Sequence, residues 1–280
     1  MSNMSLKLTK EQIERLKKTF RDDIKPNNNE YIDTFIQNDD ITITVYTSGK
    51  VVFQGKDALY YGSSFIETRK TRQAGSDEVG TGDYFGPVIV TAAIVEEGDY
   101  PFLQENGITD SKQMDDATIR KLGEELMKRF AHSLLILEPE KYNEVHQSNN
   151  LNEIKAKMHN QAYLNLLKKG NTIPRAAYVD EFVNKDTYFK YLVNEKDIYR
   201  DLIFETKAEE KYPAVAVGSV ISRYAFLKYM DNMEERYKLP FHKGAGEEVD
   251  KDAKAFVEKY GKDALKKVAK LHFKNTERLD

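Results

Sequence analysis

The sequence predicts an α/β protein in which a small α+β unit precedes a larger layer of strands and helices. Three observations support this prediction. A helical pattern and an alternating hairpin fill the first 65 residues, a polar basic stretch follows them, and strand and helix patterns interleave from residue 74 onward. We therefore divide the chain into an N-terminal unit (1–65), a linker (66–73) and a main unit (74–280).

The composition is that of a folded globular protein. Of the 280 residues, 40% are hydrophobic and 32% are charged, with a formal net charge of −3. No apolar run approaches the roughly 20 residues of a membrane span, and the N-terminus lacks the apolar core of a signal peptide. The chain has no cysteine, which excludes disulfides and thiolate metal sites. We therefore expect a cytoplasmic protein that does not bind membranes.

The first element predicted is an amphipathic helix over residues 6–21. Apolar residues recur in it at near-helical spacing, and Thr9 and Gln12 stand where a capping box would place them. The opposite face is basic and carries Lys7, Lys10, Arg15, Lys17, Lys18 and Arg21. This face is either an ordinary solvated surface or a surface that faces nucleic acid, and the sequence leaves both interpretations open.

A β-hairpin is predicted next, after a break at residues 26–29 (PNNN). Residues 41–45 alternate between apolar and polar side chains, Ser48 and Gly49 form the turn, and residues 51–53 return. The polar, basic stretch that follows at residues 67–73 (ETRKTRQ) is typical of a linker.

The main unit alternates predicted strands with predicted helices. The strands are expected at residues 74–77, 88–95, 133–137, 176–182 and 202–206. The helices are expected at residues 116–130, 151–168, 213–237 and 250–273, the last with a break at Gly261. Strands and helices mixed in this way predict a sheet that is covered by helices.

Two adjacent acids, Asp77 and Glu78, lie in the glycine-rich stretch AGSDEVGTGDYFGP at residues 74–87. Neighbouring strand residues point to opposite faces, so both acids can serve one site only if the strand bends or ends there. Gly80 and Gly82 permit such a bend. Carboxylates without cysteine or clustered histidine suit Mg²⁺ or Mn²⁺, although two solvated acids in a turn would give the same pattern.

More acids follow other predicted strands. Asp180 ends an apolar strand, and Glu209 and Glu210 stand between a strand and a helix. Ligands of α/β sheets usually bind at the edge formed by the carboxyl ends of the strands. A helix cap would explain Asp180, and the helix dipole would explain acids in a first turn. Several strand-end acids in one chain nevertheless favour a metal site.

The stretch at residues 74–87 resembles the signature of the type 2 ribonucleases H, and its DYFGP segment resembles the ribonuclease HIII branch in particular. Further resemblances follow in the same order along the chain. They are Asp110-Ser111-Lys112, the YVDEF stretch at residues 178–182, and the segment at residues 206–227. The resemblance covers residues 74–237, and residues 1–65 resemble the TATA-binding-protein-like appendage of ribonuclease HIII.

This resemblance implies a ribonuclease-H-like fold, with a mixed central sheet flanked by helices, preceded in the chain by a small substrate-binding domain. It implies endonucleolytic cleavage of the RNA strand of RNA–DNA hybrids that leaves 3′-hydroxyl and 5′-phosphate ends. Two divalent ions, Mg²⁺ or Mn²⁺, would be held by four catalytic carboxylates: Asp77, Glu78, Asp180 and Glu209. Glu210 remains the alternative fourth ligand, because many relatives have aspartate at that position. The active form is expected to be a monomer.

The resemblance also implies substrate contacts. The backbone of Gly80, Thr81 and Gly82 would approach the hybrid and sense the ribose 2′-hydroxyl, which separates RNA from DNA. Ser111 and Lys112 would contact backbone phosphate, which positions a substrate without reading its sequence.

Three alternatives remain open at this point: ribonuclease HII-like cleavage at single ribonucleotides in DNA, a related nuclease or recombinase acting on DNA, and a non-catalytic hybrid-binding protein. The five scattered histidines are expected to be structural or solvated. His242 stands in a glycine-containing loop and is the one histidine with an alternative role near the site.

Overall fold

The computed structural model describes residues 2–56, 58–63, 71–108 and 114–279. It divides the chain into two compact units, Met1–Arg69 and Lys70–Asp280. Residues 66–70 of the predicted linker lie outside the described residues, as do Ser111 and Lys112.

Within the described residues, the N-terminal unit is an antiparallel sheet of five strands with two α-helices. The strands are β1 (Ser2–Lys7), β2 (Ile24–Lys25), β3 (Ile32–Gln37), β4 (Ile41–Tyr46) and β5 (Lys50–Gly55), in the order β1-β5-β4-β3-β2. The helices are α1 (Lys10–Thr19) and α2 (Ala58–Ser63). The predicted hairpin is confirmed as β4 and β5, which pair with Ile43 opposite Phe53.

The start of α1 is set by the predicted capping box. The Thr9 side chain accepts a hydrogen bond from the Gln12 backbone N–H (3.2 Å), and the Gln12 side chain accepts one from the Thr9 N–H (2.8 Å). The prediction of a helix from residue 6 was wrong at its beginning. Ser2–Lys7 forms β1, because its backbone pairs with β5 and its Met4 and Leu6 side chains join the buried cluster of this unit.

The main unit is built on a mixed sheet of five strands. They are β6 (Gln73–Val79), β7 (Val88–Val95), β8 (His132–Leu137), β9 (Ala177–Asp180) and β10 (Ile203–Glu205), in the order β10-β9-β6-β7-β8. The pairs β6–β7 and β7–β8 are antiparallel, whereas β9 runs parallel to both β6 and β10. The predicted fold class, a mixed sheet with flanking helices that follows a small α+β unit along the chain, is confirmed.

Eight helices accompany this sheet within the described residues. They are α3 (Tyr100–Glu105), α4 (Asp116–Arg129), α5 (Pro139–His146), α6 (Leu151–Lys168), α7 (Lys185–Tyr191), α8 (Pro213–Tyr237), α9 (Glu247–Tyr260) and α10 (Lys274–Glu277). Gly261 ends α9 as predicted, at φ +83°, but the chain continues as a 3-10 turn (Lys262–Lys267) instead of resuming a helix. No helix in the described ranges is long and apolar enough to span a membrane.

The central strands are buried on both faces, which explains their continuous apolar runs. All eight residues of β7 are buried. On one face α8 supplies Val217 and Ile221 to a cluster with Ala93. On the other face α6 supplies Tyr163 to a cluster with Val90. Residues at the ends of β6 and β9 therefore lie between two helices, at the edge of a packed core.

Candidate active site

Two of the predicted acids lie near the carboxyl ends of neighbouring parallel strands: Asp180 ends β9, and Asp77 stands two residues before the end of β6. Ser76 of β6 pairs with Val179 of β9, so Asp77 and Asp180 come next on each strand and lie at the same edge of the sheet. The proximity is electrostatic as well as topological, because the charge of Asp180 contributes to raising the pKa of Asp77. Glu78 follows Asp77, and β6 ends one residue later.

Asp77 and Glu78 point to opposite faces of the sheet, as adjacent strand residues do. Asp77 faces α8, where its carboxyl accepts a hydrogen bond from the Ser219 hydroxyl, and its Oδ1 also accepts from the Glu78 backbone N–H (2.8 Å). Glu78 faces α6, where it meets Lys155 and His159. The two neighbours are therefore held by different helices.

Desolvation by burial, followed by the charge of Glu78, raises the pKa of Asp77 from 3.8 to about 8. The charged form of Asp77 is therefore disfavoured without a bound cation. A buried carboxyl that remains protonated beside other acids is a site where a cation would be favourable.

Glu78 is charged, and α6 supplies its partners. Lys155 Nζ lies 2.5 Å from Glu78 Oε1, and His159 Nε2 lies 3.0 Å from Oε2. Burial alone would raise the pKa of Glu78, but the hydrogen bond from His159 and the contacts with Lys155 lower it to about 2. His159 Nδ1 is 2.7 Å from Ser76 Oγ. Since Ser76 is fully buried, this chain of contacts orients His159 and presents no nucleophile to a substrate.

Lys155 was not predicted as a site residue from the sequence, and His159 was predicted to be structural or solvated. A weak signal was available, because residues i and i+4 share one helix face. Their partner, however, stands some 80 residues earlier in the chain, and only the packing of α6 on the sheet brings them to it.

Glu209 and Glu210 follow β10 in a 3-10 turn, Ala208–Glu210. The turn is attached to the acid edge, because the Ala208 N–H donates to Asp180 Oδ1 at 2.8 Å. Glu209 is 6% exposed, whereas Glu210 is exposed to solvent. Glu209 is buried and adjoins Ala208, whose N–H is hydrogen-bonded to Asp180, and this supports Glu209 over Glu210 as the fourth acid.

Within the described ranges, no three Asp, Glu or His side chains stand close enough together to hold a metal ion as they are. Glu78 is turned towards Lys155 and His159. The donor set nevertheless fits a hard divalent ion, because it consists of carboxylate oxygens. Two of these acids favour such an ion in different ways: burial raises the pKa of Asp77, and Glu78 is paired with the Lys155 ammonium.

The glycines that follow the acids differ from each other. Gly80 has φ +92°, and a Cβ there would lie 2.1 Å from the Pro87 carbonyl oxygen, so the fold requires glycine. At Gly82 a Cβ would meet nothing within 4 Å. The fold therefore explains Gly80, whereas Gly82 leaves open space on the exposed side of the loop.

The C-terminal segment fixes the loop that carries these glycines. The Lys270 N–H donates to the Tyr84 carbonyl (2.9 Å), and the Gly86 N–H donates to the Val268 carbonyl (2.9 Å). The Lys270 ammonium is fully buried and donates to the Gly86 carbonyl (2.6 Å). Burial lowers the pKa of Lys270 from 10.5 to about 7. His242 lies in a neighbouring loop with Nδ1 2.7 Å from Asp252 Oδ2, which gives it a structural partner.

The main unit belongs to the class of type 2 ribonucleases H. A family model described as Ribonuclease HII matches residues 74–276. A second model, described as a domain of unknown function (DUF3378), matches residues 3–78.

The closer relatives identify the branch. A ribonuclease HIII of Bacillus mycoides is 39% identical over 263 residues, which cover 85% of this chain and 84% of the relative. A ribonuclease HIII of Lactococcus lactis subsp. cremoris is 38% identical over 99% of this chain and 97% of its own length. The chain therefore belongs to the ribonuclease HIII family, whose members are ribonuclease H-type endonucleases.

Solved structures agree with this assignment. The crystal structure of Bst-RNase HIII in complex with Mn²⁺ matches with a TM-score of 0.75 at 31% identity, covering 99% of this chain and 98% of that one. The ribonuclease H2 of Pyrococcus horikoshii shares the fold, with a TM-score of 0.62 at 21% identity over 75% of this chain and 97% of its own.

Proposed function

We propose that this protein hydrolyses the RNA strand of RNA–DNA hybrids in a metal-dependent reaction that leaves 3′-hydroxyl and 5′-phosphate ends. One observation carries the proposal above all. Asp77 and Asp180 lie at the same edge of two adjacent parallel strands, and burial together with neighbouring charge raises the pKa of Asp77, so a cation bound there would be favourable. The proposal also takes the active form to be a cytoplasmic monomer.

We propose that the metal is Mg²⁺ or Mn²⁺ and that its ligands are Asp77, Glu78, Asp180 and Glu209. When bound, two divalent ions supply an activated water and stabilise the departing 3′-oxygen. The protein prepares this chemistry in three ways. The Ala208 N–H holds the Asp180 carboxylate in place. Asp77 would lose its proton when the metal binds, and Glu78 would exchange its contact with Lys155 for the metal. The Mn²⁺ complex of the similar structure supports the use of a divalent ion.

Substrate selection is assigned to the loop of Gly80, Thr81 and Gly82. The open space at Gly82 supports a close approach of nucleic acid to the backbone there. A backbone contact with the 2′-hydroxyl would distinguish RNA from DNA. Ser111 and Lys112 complete the proposal as phosphate contacts.

The N-terminal unit is assigned to substrate binding through one face of its sheet. The side chains of Met4 and Leu6 turn inward, so the alternate residues Ser5 and Lys7 lie on the outer face, where Lys7 pairs with Lys50. A depression beside these residues is lined by Ser5, Leu6, Lys7, Ser48 and Lys50. In contrast, Lys17 of α1 is paired with Asp33 (2.9 Å), which makes the helix the weaker candidate for a nucleic-acid surface.

The proposal is tested with three labelled substrates: a continuous RNA–DNA hybrid, a DNA duplex with one ribonucleotide, and an all-DNA duplex. We expect efficient cleavage of the hybrid alone. Equal cleavage at the single ribonucleotide would favour the ribonuclease HII-like alternative, and cleavage of all-DNA duplex would favour a DNA nuclease. Hybrid binding without cleavage in either metal would identify a non-catalytic binding protein.

A further inference from the structure

A lysine ammonium is paired with one of the carboxylates that the proposed metal site needs. Lys155 is 8% exposed, and its Nζ lies 2.5 Å from Glu78 Oε1. The same ammonium lies 3.9 Å from the centre of the Phe182 ring. A buried charge is costly unless it is paired, so this ion pair stabilises the site in the absence of metal.

His159 makes a different contact with the same acid. Its ring is fixed on the far side by Ser76 Oγ at 2.7 Å, and it approaches Glu78 Oε2 at 3.0 Å. A carboxylate oxygen can bind a metal while it accepts a hydrogen bond from such an outer partner. An ammonium at hydrogen-bond distance is not compatible with metal binding at the same carboxylate, because its positive charge repels an incoming cation.

We propose that Lys155 is an internal counter-cation of the metal-free site, and that metal binding at Glu78 must displace its ammonium. This inference rests on the proposed function, since it takes Glu78 to be a metal ligand. Lys155 thereby acts as a positioning residue that sets metal affinity. The ammonium already makes a cation–π contact with the Phe182 ring, a contact that it can keep when it releases Glu78.

The test uses the full-length protein, without substrate. Mn²⁺ binding is measured by calorimetry, and thermal unfolding is measured in EDTA and in Mn²⁺, for wild type and Lys155→Met. We expect the variant to bind Mn²⁺ about tenfold more tightly, because a repelling charge is gone. Its melting temperature in EDTA should fall, and Mn²⁺ should raise that temperature more than it does in wild type.

Lys157→Met is the matched control, because Lys157 stands two residues away on α6 and pairs with Glu153 (2.9 Å) instead of Glu78. It should leave Mn²⁺ affinity unchanged. Lys155→Gln replaces Lys155→Met if the latter fails to fold. If wild type binds Mn²⁺ and the Lys155 variant binds it equally well or more weakly, the inference is overturned but the proposed metal site is not. Absence of Mn²⁺ binding in both proteins would overturn the proposed metal site, and the inference with it.

Discussion

Replacing Asp77 with asparagine should stabilise the metal-free protein, and increasingly so as the pH rises. Burial and the charge of Glu78 raise the pKa of Asp77 from 3.8 to about 8. The unfolded chain loses this proton near pH 4, whereas the folded protein keeps it until about pH 8. Between these values the folded state binds more protons, so the stability contributed by this group falls as the pH rises.

The size of the effect follows from the same shift. Each pH unit within the window changes the stability by about 1.4 kcal/mol, which gives about 4 kcal/mol between pH 5 and pH 8. Asparagine keeps a carbonyl oxygen that can accept the hydrogen bond from the Glu78 N–H, but it has no proton to lose. The difference in unfolding free energy between Asp77→Asn and wild type should therefore grow up to about pH 8 and then level off.

The assay is urea unfolding in EDTA at pH 5, 6, 7, 8 and 9. Asp115→Asn is the control, because the pKa of Asp115 is lowered by its hydrogen bond from the Thr118 N–H. Its difference from wild type should stay flat above pH 5. A flat difference for Asp77→Asn as well, or one that favours wild type at pH 8, would refute the electrostatic account of the site.

Three further predictions concern the loop, its buried lysine and the fourth acid. Gly80→Ala should lower the unfolding free energy by about 2 kcal/mol or more, because of its positive φ and the Pro87 contact. Gly82→Ala should stay within about 0.5 kcal/mol of wild type yet weaken hybrid binding in a fluorescence titration; unchanged binding would remove this residue from the substrate site. Burial lowers the pKa of Lys270 to about 7, so the unfolded chain binds more protons between pH 7 and 10.5, and the unfolding free energy of wild type relative to Lys270→Met should rise across that range; a constant difference in urea titrations would contradict this. Glu209→Gln should reduce hybrid cleavage about 100-fold or more, and Glu210→Gln less than about threefold; the reverse order in a gel assay would make Glu210 the ligand.

Elements whose signals are local could be predicted from the sequence. The capping box of Thr9 and Gln12 marks the start of α1, and the apolar run of β7 reports a strand that is buried on both faces. Strand β1 could not be predicted in this way. Its residues 2–7 are strand only because β5, more than 40 residues later, supplies the partner backbone.

The acids of the candidate site were accessible to sequence reasoning because strand ends and short motifs mark them. Their surroundings were not. The contact of Lys155 with Glu78 depends on how α6 packs across the sheet, and the contrast between buried Glu209 and exposed Glu210 depends on the turn that leads into α8. Lys270 reaches the Gly86 carbonyl across 184 residues of chain, which no local pattern announces.

The most direct measurement is cleavage of a hybrid with a 5′-labelled RNA strand by wild type and Asp180→Asn, in Mg²⁺, in Mn²⁺ and in EDTA. Asparagine keeps an oxygen that can accept from the Ala208 N–H, so the variant should remain folded. The account predicts RNA fragments with 3′-hydroxyl ends for wild type with metal, and for neither protein in EDTA. Cleavage by wild type that persists in EDTA, or by Asp180→Asn at the wild-type rate, would contradict it.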